Sequence, residues 1–392
     1  MSVARSKRGW MLWTATRREF SRINKDGVCG SGTLCPCACT CRLQVISEQA
    51  ILLSCCGPTV VDGETATPLQ NVRSKQMKGL EISQAFFREW GAPFLRTEYP
   101  ETVERIAAGR MMGSDVLGAD DEWSRDHDWG PCFDVWMTAQ DFARVGRRLR
   151  TAMNKKAPET FRGFRHHFFG QKKDPIQVVS IDRFFKEHVG CPRPPVRARD
   201  WFRKRGGERD SLVERESWLY FINHGAVFHD PLGEFSARRE AFSRYPRDVW
   251  HRLIADLCTQ LWHVGEYKFC HRLVHRKEPN TIQICLGRFV ETAMHLCFLL
   301  NNDYAPHWCW LAHEFARLPE SGVLNPQFRK LRQSNDLSAQ SQTMLQITSF
   351  LRKRLLEEGL VDPDRAPSVH DLTDAAKAIK QKIQDKWIRE VW

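Results

Sequence analysis

The sequence predicts an α+β protein in which a small α/β domain with a mixed sheet precedes an all-helical C-terminal domain. Between residues 77 and 190, apolar runs of strand length alternate with segments of helical periodicity, which is typical of layered α/β domains. Beyond residue 210, the apolar patterns are almost all helical. The predicted domains are therefore residues 77–190 and 211–392, joined by a Pro- and Arg-rich linker at 191–210.

The elements of the predicted α/β domain follow the order helix, strand, turn, strand, helix, strand. Apolar residues at helical spacing define the helices, and short apolar or β-branched runs define the strands. Thr138 and Asp141 form a capping box, with the acid three residues after the cap. In chain order the segments are a helix from about Leu80, a strand at 105–112, the turn Gly113–Ser114, a strand from Asp126 to Met137, a helix from Phe142 to Met153, and a strand at 176–181.

The C-terminal domain is predicted to be a helical bundle. Ser211 and Glu214 form a second capping box. The last two helices are expected at about 338–358 and 371–390. Trp308 and Trp310 are assigned to the core of this bundle.

Composition favours a soluble globular protein with anionic partners. Hydrophobic residues make up 42% and charged residues 27% of the chain, and no run reaches the roughly 18 apolar residues of a membrane span. The net charge of +12 favours nucleotides, RNA, DNA or acidic lipid as partners, without choosing among them. We expect a cytoplasmic protein that has no membrane partner.

Residues 1–76 are predicted to be a disordered extension rich in Cys and Arg. The tract Cys35–Cys41 lacks the paired spacing of a structural zinc site. No apolar signal-peptide core opens the chain, so free thiols are expected for the 14 cysteines rather than disulfides. Residues 1–25 are basic, which leaves a mitochondrial location as the alternative to the cytoplasm.

The segment Met111–Gly130 carries the candidate chemistry. Two carboxylates at positions i and i+2 of a strand share one face, so Asp126 and Asp128 can converge on a cation. Magnesium prefers such oxygen ligands, and a pair of ions can activate a hydroxyl and stabilise a leaving pyrophosphate. Gly113 lets backbone amides approach a phosphate closely, and Ser114 adds a hydroxyl donor. The segment therefore predicts a site that clamps a triphosphate between donors and metal.

The pattern strand, Gly-Ser, turn, Ser-x-Asp-x-Asp, strand resembles the polymerase-β-like nucleotidyltransferase superfamily. Residues 113–131 look closest to an uncharacterised, mostly bacterial domain-of-unknown-function family within it, and the resemblance runs from about Gly79 to Leu318. The other segments that carry it are Gly225–Asp230, Tyr245–Trp250, Phe298–Leu300 and Tyr304–Pro306.

This resemblance implies a magnesium-dependent transferase that moves a nucleoside monophosphate from a nucleoside triphosphate, such as ATP, to an unidentified acceptor hydroxyl. Gly113 and Ser114 would hold the phosphates. Asp126 and Asp128 would be catalytic and would bind Mg²⁺.

The resemblance also implies a third carboxylate on a later strand. We assign it to Asp182, with Asp134 as the rival, although neither lies within a clear strand pattern. Arg125 is a further candidate for contact with the nucleotide. His127 departs from the superfamily, in which the residue between the two acids is more often apolar.

Three other functions stay open. Loss of the third carboxylate would leave a nucleotide-binding or regulatory module that has no turnover. The basic segment Arg193–Arg205, with Trp201 and Phe202 within it, would suit an RNA-binding protein or an RNA nucleotidyltransferase. A metal phosphohydrolase based on His127 and Asp128 is weaker, because companion histidines are not apparent.

Overall fold

The structure describes most of the chain beyond residue 76. In this computed structural model the described residues are 44–47, 50–52, 77–125, 128–166, 174–204, 210–362 and 371–390. The chain divides into two compact units, Met1–Arg73 and Ser74–Trp392. In the first unit, β1 (Gln44–Ser47) and β2 (Ala50–Leu52) pair in antiparallel fashion. The cysteine tract and the basic N-terminal residues lie outside the described residues, so the predictions made for them stay predictions.

The second unit is built on a four-stranded mixed sheet with the strand order β5-β4-β3-β6. β4 runs parallel to β5 and antiparallel to β3, and β3 runs antiparallel to β6. This sheet and the helical C-terminal part confirm the predicted α+β class. The strands are β3 (Ile106–Arg110), β4 (Phe133–Met137), β5 (Ile176–Ser180) and β6 (Ala226–His229).

β6 belongs to the part of the chain that was predicted to be all-helical. It pairs Val227 with Gly109 of β3. Gly109 is needed there because a Cβ atom would lie 2.2 Å from the carbonyl oxygen of Ala226. The predicted boundary at residue 190 therefore does not enclose the whole sheet.

Six helices accompany the first three strands of this sheet. Thr138 caps the helix after β4, because its Oγ1 accepts a hydrogen bond from the Asp141 amide at 3.1 Å, as the capping box predicts. Short π-helical segments at Phe87–Gly91 and Phe142–Gly146 join α1 to α2 and α4 to α5. The helices are α1 (Gly79–Phe86), α2 (Ala92–Glu98), α3 (Pro100–Val103), α4 (Ala139–Asp141), α5 (Arg147–Lys156) and α6 (Ile181–Val189).

The C-terminal part is helical except for β6. The helix predicted at 338–358 is confirmed, whereas the segment predicted at 371–390 forms two shorter helices. A π-helical segment, Trp262–Leu273, links α9 to α10. The helices are α7 (Glu216–His224), α8 (Glu234–Glu240), α9 (Arg247–Leu261), α10 (Val274–Arg276), α11 (Pro279–Leu300), α12 (Trp308–Phe315), α13 (Ser321–Gln333), α14 (Leu337–Glu357), α15 (Leu372–Gln381) and α16 (Lys386–Glu390).

The sheet separates two apolar cores. On the closed face, defined by Ile106, Ala108, Val135, Met137 and Val178, the side chains pack with apolar residues of α1, α2 and α5. On the other face, Ala107 and Trp136 join the core of α6 and the C-terminal helices. Alternation along each strand produces this division.

One described helix, α11, is long and apolar enough to cross a membrane when judged by length and composition alone. In its most apolar window, 61% is buried inside the protein. Its residues Phe289, Ala293 and Leu296 belong to the core of the C-terminal helices. The buried core helix of a soluble protein passes the same test, so α11 is weak evidence for a membrane span. The seven cysteines of the described residues beyond residue 76 are free thiols, as expected.

Candidate active site

A cavity of about 790 Å³ opens at one end of the sheet, where β3 ends and where β4 and β5 begin. Its lining includes the predicted residues Gly113, Ser114 and Asp128, together with Asp134 of β4. Residues of α6, α7 and α12 line it from the helical side. The structure therefore brings three of the predicted site residues, and the rival third carboxylate, to one cavity.

A buried ion pair that the sequence analysis missed supports this cavity. Arg110, the last residue of β3, donates from Nε and Nη2 to the two carboxylate oxygens of Asp115 at 3.1 and 3.2 Å. Both residues are buried. Arg110 Nη2 also donates to the carbonyl oxygen of Asp128. One guanidinium therefore fixes the turn after β3 and the segment before β4, and Arg110 itself lines the cavity.

Gly113 is required in this turn for a reason beyond phosphate approach. Its φ is +123°, a conformation that favours glycine. A Cβ atom at this position would lie 2.2 Å from Oδ1 of Asp115 and 2.7 Å from Nη2 of Arg110. The ion pair occupies the space that any other side chain would need.

Ser114 ties the same turn to the segment that leads toward Asp126. Its Oγ donates to the carbonyl oxygen of Ser124 at 3.3 Å. The turn's own hydrogen bonds begin with the amide of Val116, which donates to Gly113. Among the described residues we find no hydrogen bond from the amides of Gly113 or Ser114, so both donors are available to an anionic ligand.

Asp128 does not lie on a strand, and this part of the prediction was wrong. β4 begins at Phe133, and Asp128 adopts a left-handed φ of +48° in the preceding segment. Gly130 also has a positive φ, of +112°, and a Cβ atom there would lie 2.4 Å from the carbonyl oxygen of Arg165. Pro131 follows and has no amide to donate. β4 begins only after this segment, and Asp126 lies outside the described residues.

Asp134 and Asp182 differ in their surroundings. Asp134 lies on β4 opposite Gly109 and beside Gln177 of β5, and it lines the cavity. Asp182 lies in the first turn of α6, accepts a hydrogen bond from Arg238 at 2.7 Å and does not belong to the cavity lining. Of the two candidates for the third carboxylate, the structure therefore places Asp134 at the cavity.

Metal binding at these acids stays a prediction. Among the described residues, which leave out Asp126 and His127, no group of three or more His, Cys, Asp or Glu side chains forms a metal site. Asp128 and Asp134 nevertheless offer to one cavity the oxygen donors that suit Mg²⁺.

Arg125 lies away from the cavity lining. Its guanidinium stands 4.6 Å from the ring centroid of Trp129, and its Nη2 donates to the carbonyl oxygen of Asp120 at 3.4 Å. These contacts hold the loop that precedes Asp126. A nucleotide contact by Arg125 stays a prediction.

Asp120 anchors that loop to α1. Its buried carboxylate accepts hydrogen bonds from the Gly79 amide at 2.7 Å and from Trp129 Nε1 at 3.1 Å, and it pairs with Lys78 at 3.2 Å. Burial would raise the pKa of this carboxyl, but the bonds from Gly79, Trp129 and Lys78 outweigh burial, so the pKa is lowered. Asp120 is therefore ionised at neutral pH, and its carboxylate holds the loop against the start of α1.

A C-terminal helix also contacts the turn. Arg317, just after α12, donates from Nη2 to the carbonyl oxygen of Leu117 at 2.6 Å and from Nη1 to Glu314 at 2.9 Å. Glu314 is buried and also accepts from the hydroxyl of Tyr220 at 2.5 Å. The helical part thus positions the turn that carries Gly113.

Three tryptophans expose much of their surface, and two of them line this cavity. Trp123, 81% exposed, and Trp218, 41% exposed, both line the cavity together with Trp310. Trp308 is 70% exposed and does not belong to the lining. The assignment to the helical core was therefore wrong for Trp308, whereas the half-buried Trp310 does pack against that core.

The basic segment at 193–205 gives no stacking surface. Trp201 is 1% exposed and Phe202 is 2% exposed, so neither ring can stack on a base. Arg199 pairs with Asp385 of the C-terminal region at 2.9 Å. The described part of this segment packs the C-terminal end of the chain against the core.

Comparisons with known proteins place part of the chain in context. Residues 212–311 match the family model described as Domain of unknown function (DUF4037). This match contains the Gly225–Asp230, Tyr245–Trp250 and Tyr304–Pro306 segments of the resemblance and does not extend to Gly113 or Asp128. No curated protein matches the chain.

One solved structure that matches is that of a nucleotidyltransferase-like protein from Exiguobacterium sibiricum. It has 9% sequence identity and a TM-score of 0.33, and the match covers 77% of this chain and 92% of that chain. This similarity is too low to support a function for the chain.

Proposed function

We propose that the protein is a magnesium-dependent nucleotidyltransferase that moves a nucleoside monophosphate from a nucleoside triphosphate to an acceptor hydroxyl. The observation that carries this proposal is the convergence of the Gly113–Ser114 turn with the carboxylates of Asp128 and Asp134 on one cavity. The turn offers two backbone amides to phosphate oxygens, and the acids offer oxygen ligands to a divalent cation. Asp126 is assigned to the site from the sequence pattern alone.

In the proposed reaction, the acceptor oxygen forms a bond to the α-phosphorus. The bond between that phosphorus and the bridging oxygen of the β-phosphate breaks, and pyrophosphate leaves. Asp134 accepts the hydroxyl proton, while the Gly113 and Ser114 amides stabilise charge on the phosphates. Bound Mg²⁺, held by Asp128 and Asp126, would neutralise negative charge on the triphosphate. Positioning of the reactants and electrostatic stabilisation would accelerate the transfer, which needs no covalent enzyme intermediate.

The test is Asp128→Asn, which keeps the backbone because asparagine tolerates the left-handed φ of this residue. Calorimetry with a non-hydrolysable ATP analogue should show binding to the wild type that MgCl₂ strengthens. Asp128→Asn should weaken this binding by about 10- to 100-fold, the scale of damage to a metal site. Asp182→Asn is the matched control and should change the affinity by less than about twofold, the scale of surface changes. Affinity that is independent of Mg²⁺, or equal losses in both variants, would contradict the proposal.

A second candidate, a nucleotide-binding module without turnover, has one observation in its favour. β5, the neighbour of β4, reads Ile-Gln-Val-Val-Ser, so Gln177 rather than an acid lies beside Asp134. Incubation with α-labelled triphosphates and a mixture of metabolites and RNA separates the two candidates. Labelled product that disappears in Asp128→Asn supports transfer, whereas Mg²⁺-dependent binding with no product supports the module.

A further inference from the structure

The strand order divides the cavity into two ends. Gly113 and Ser114 follow β3, Asp134 lies on the central strand β4, and Gln177 lies on the edge strand β5. If the triphosphate takes the β3 end, as the proposed function requires, the acceptor hydroxyl has to approach from the opposite side of Asp134. The acceptor end is therefore the part of the cavity between β5, α5, α6 and α7.

The charges of the acceptor end sum to a positive value. Four charged residues there form two ion pairs, Arg150 with Asp174 at 2.9 Å and Arg183 with Glu187 at 2.7 Å. Arg147 also lines the cavity, is exposed, and makes no ion pair with any carboxylate of the described residues. An anionic acceptor suits this end, and a polycationic one does not.

An exposed aromatic surface lies at the same end. Trp218 of α7 is 41% exposed and its ring centroid lies 5.0 Å from that of His188, whose ring in turn lies 4.6 Å from that of Phe184. All three residues line the cavity. Large exposed tryptophans at a cavity wall provide a platform for a planar ring.

From these two features we infer that the acceptor is a nucleotide unit, with its base stacked on Trp218 and its phosphate bound by Arg147. This inference rests on the proposed function, which supplies the triphosphate at the β3 end. The cavity of about 790 Å³ lies in the upper part of the range of roughly 300–1,000 Å³ that is typical of ligand pockets.

The corresponding reaction is the formation of a phosphodiester. A ribose hydroxyl oxygen of the acceptor nucleotide bonds to the α-phosphorus, pyrophosphate leaves, and the hydroxyl proton passes to Asp134. The acceptor unit has two possible sources, a free mononucleotide or the end of an oligonucleotide, and both present the same base and phosphate.

The experiment measures acceptor binding by the full chain, without triphosphate. A fluorescent single-stranded hexa-adenylate RNA and, in competition with it, AMP are titrated against wild type and two matched pairs of variants. Arg147→Gln is compared with Arg148→Gln, because Arg148 is the adjacent exposed arginine of α5 and lies outside the cavity lining. Trp218→Ala is compared with Trp308→Ala, an exposed tryptophan outside the lining.

We expect Trp218→Ala to weaken binding by about tenfold, the scale of one base–aromatic stack. Arg147→Gln should weaken it by about fivefold and reduce by about one the slope of log affinity against log salt concentration. The two controls should change affinity by less than about twofold, and Trp218→Phe should restore most of the loss. Binding of AMP with this variant pattern identifies a free nucleotide as sufficient, and binding of the hexamer alone identifies a strand end.

Two results would overturn the inference: no binding of either probe, or equal losses in the control variants, which would indicate diffuse charge. Calorimetry with the ATP analogue and Mg²⁺ is run in parallel on the same variants. Triphosphate binding without acceptor binding rejects the nucleotide acceptor and leaves the proposed function intact. Acceptor binding without triphosphate binding rejects the proposed function instead.

Discussion

The two faces of the sheet use the same strands for different purposes. On the closed face, Val135 and Met137 are fully buried in an apolar core. On the open face, Asp134 lies one position away from Val135 and borders the cavity. Trp136, on the same face, stacks on Phe235 with ring centroids 3.9 Å apart. Neighbouring residues of one strand thus face either the apolar core or the candidate site. Substitutions should therefore separate stability from activity.

The largest effect is expected on the closed face, from Met137→Ala. Removal of a fully buried side chain and the resulting cavity should lower the free energy of unfolding by about 2–5 kcal/mol. Urea denaturation measures this loss, and calorimetry on the folded variant should show unchanged affinity for the ATP analogue. A loss of affinity in fully folded protein would contradict the separation of the two faces.

Asp134→Asn on the open face should have the opposite profile. Transfer of labelled nucleotide should fall by about 100-fold, because the proposed proton acceptor is removed. The variant should stay folded, because asparagine keeps the size of the side chain, and urea denaturation measures the contribution of the Asp134 charge beside the buried Arg110. Asp182→Asn serves as the control for transfer. If Asp134→Asn unfolds the protein or leaves transfer intact, the role of Asp134 is structural or absent.

Arg317→Met tests whether the open face depends on support from the C-terminal helices. The substitution removes donors to the Leu117 carbonyl and to the buried Glu314, so we expect a loss of about 1–3 kcal/mol in stability. We also expect a weaker affinity for the ATP analogue in the folded variant. Arg329→Met, at an exposed arginine of α13, provides the control. Equal affinity in the two variants would show that the turn holds its shape without Arg317.

The smallest effect is expected from pH, through Asp141, the last residue of α4. Hydrogen bonds from Arg105, both at 3.0 Å, are the main reason that the pKa of this carboxyl is lowered. A carboxyl with a lowered folded-state pKa stabilises the fold above its unfolded pKa of about 3.9, and this stabilisation is lost as pH falls through the folded value.

Asp141→Asn should therefore destabilise the protein by about 1–2 kcal/mol at pH 7. The difference from the wild type should shrink as the pH falls through the lowered pKa. Urea denaturation at pH 7, 5, 4 and 3 measures it (values chosen to span the titration of an ordinary carboxyl at about 3.9). A difference that does not depend on pH would mean that the charge of Asp141 contributes nothing.

Periodicity was enough to predict most elements of the fold. Apolar runs placed β3 and β5 within two residues of their observed ends, and the Thr138 capping box marked the helix after β4. β6 escaped prediction because it has four half-buried residues and no alternation of exposure. Its strand character comes from pairing with β3, which local sequence does not encode.

The site was predicted in part. Gly113, Ser114 and Asp128, which the sequence pattern singled out, line the cavity, and their role in binding stays a prediction. The start of β4 was misplaced because positive φ angles at Asp128 and Gly130 depend on tertiary contacts. The Arg110–Asp115 ion pair was missed because the spacing Arg-x-x-x-x-Asp does not show whether the two side chains are buried.

The pairing of β6 with β3 has a consequence for synthesis of the protein. During translation, β3 has its neighbour β4 soon after it is made, but its other edge waits until residue 229 has left the ribosome. An unpaired strand edge is a template for association with other chains. A truncated product that stops between β5 and β6 would carry that open edge permanently, so a soluble fragment for expression has to extend past His229.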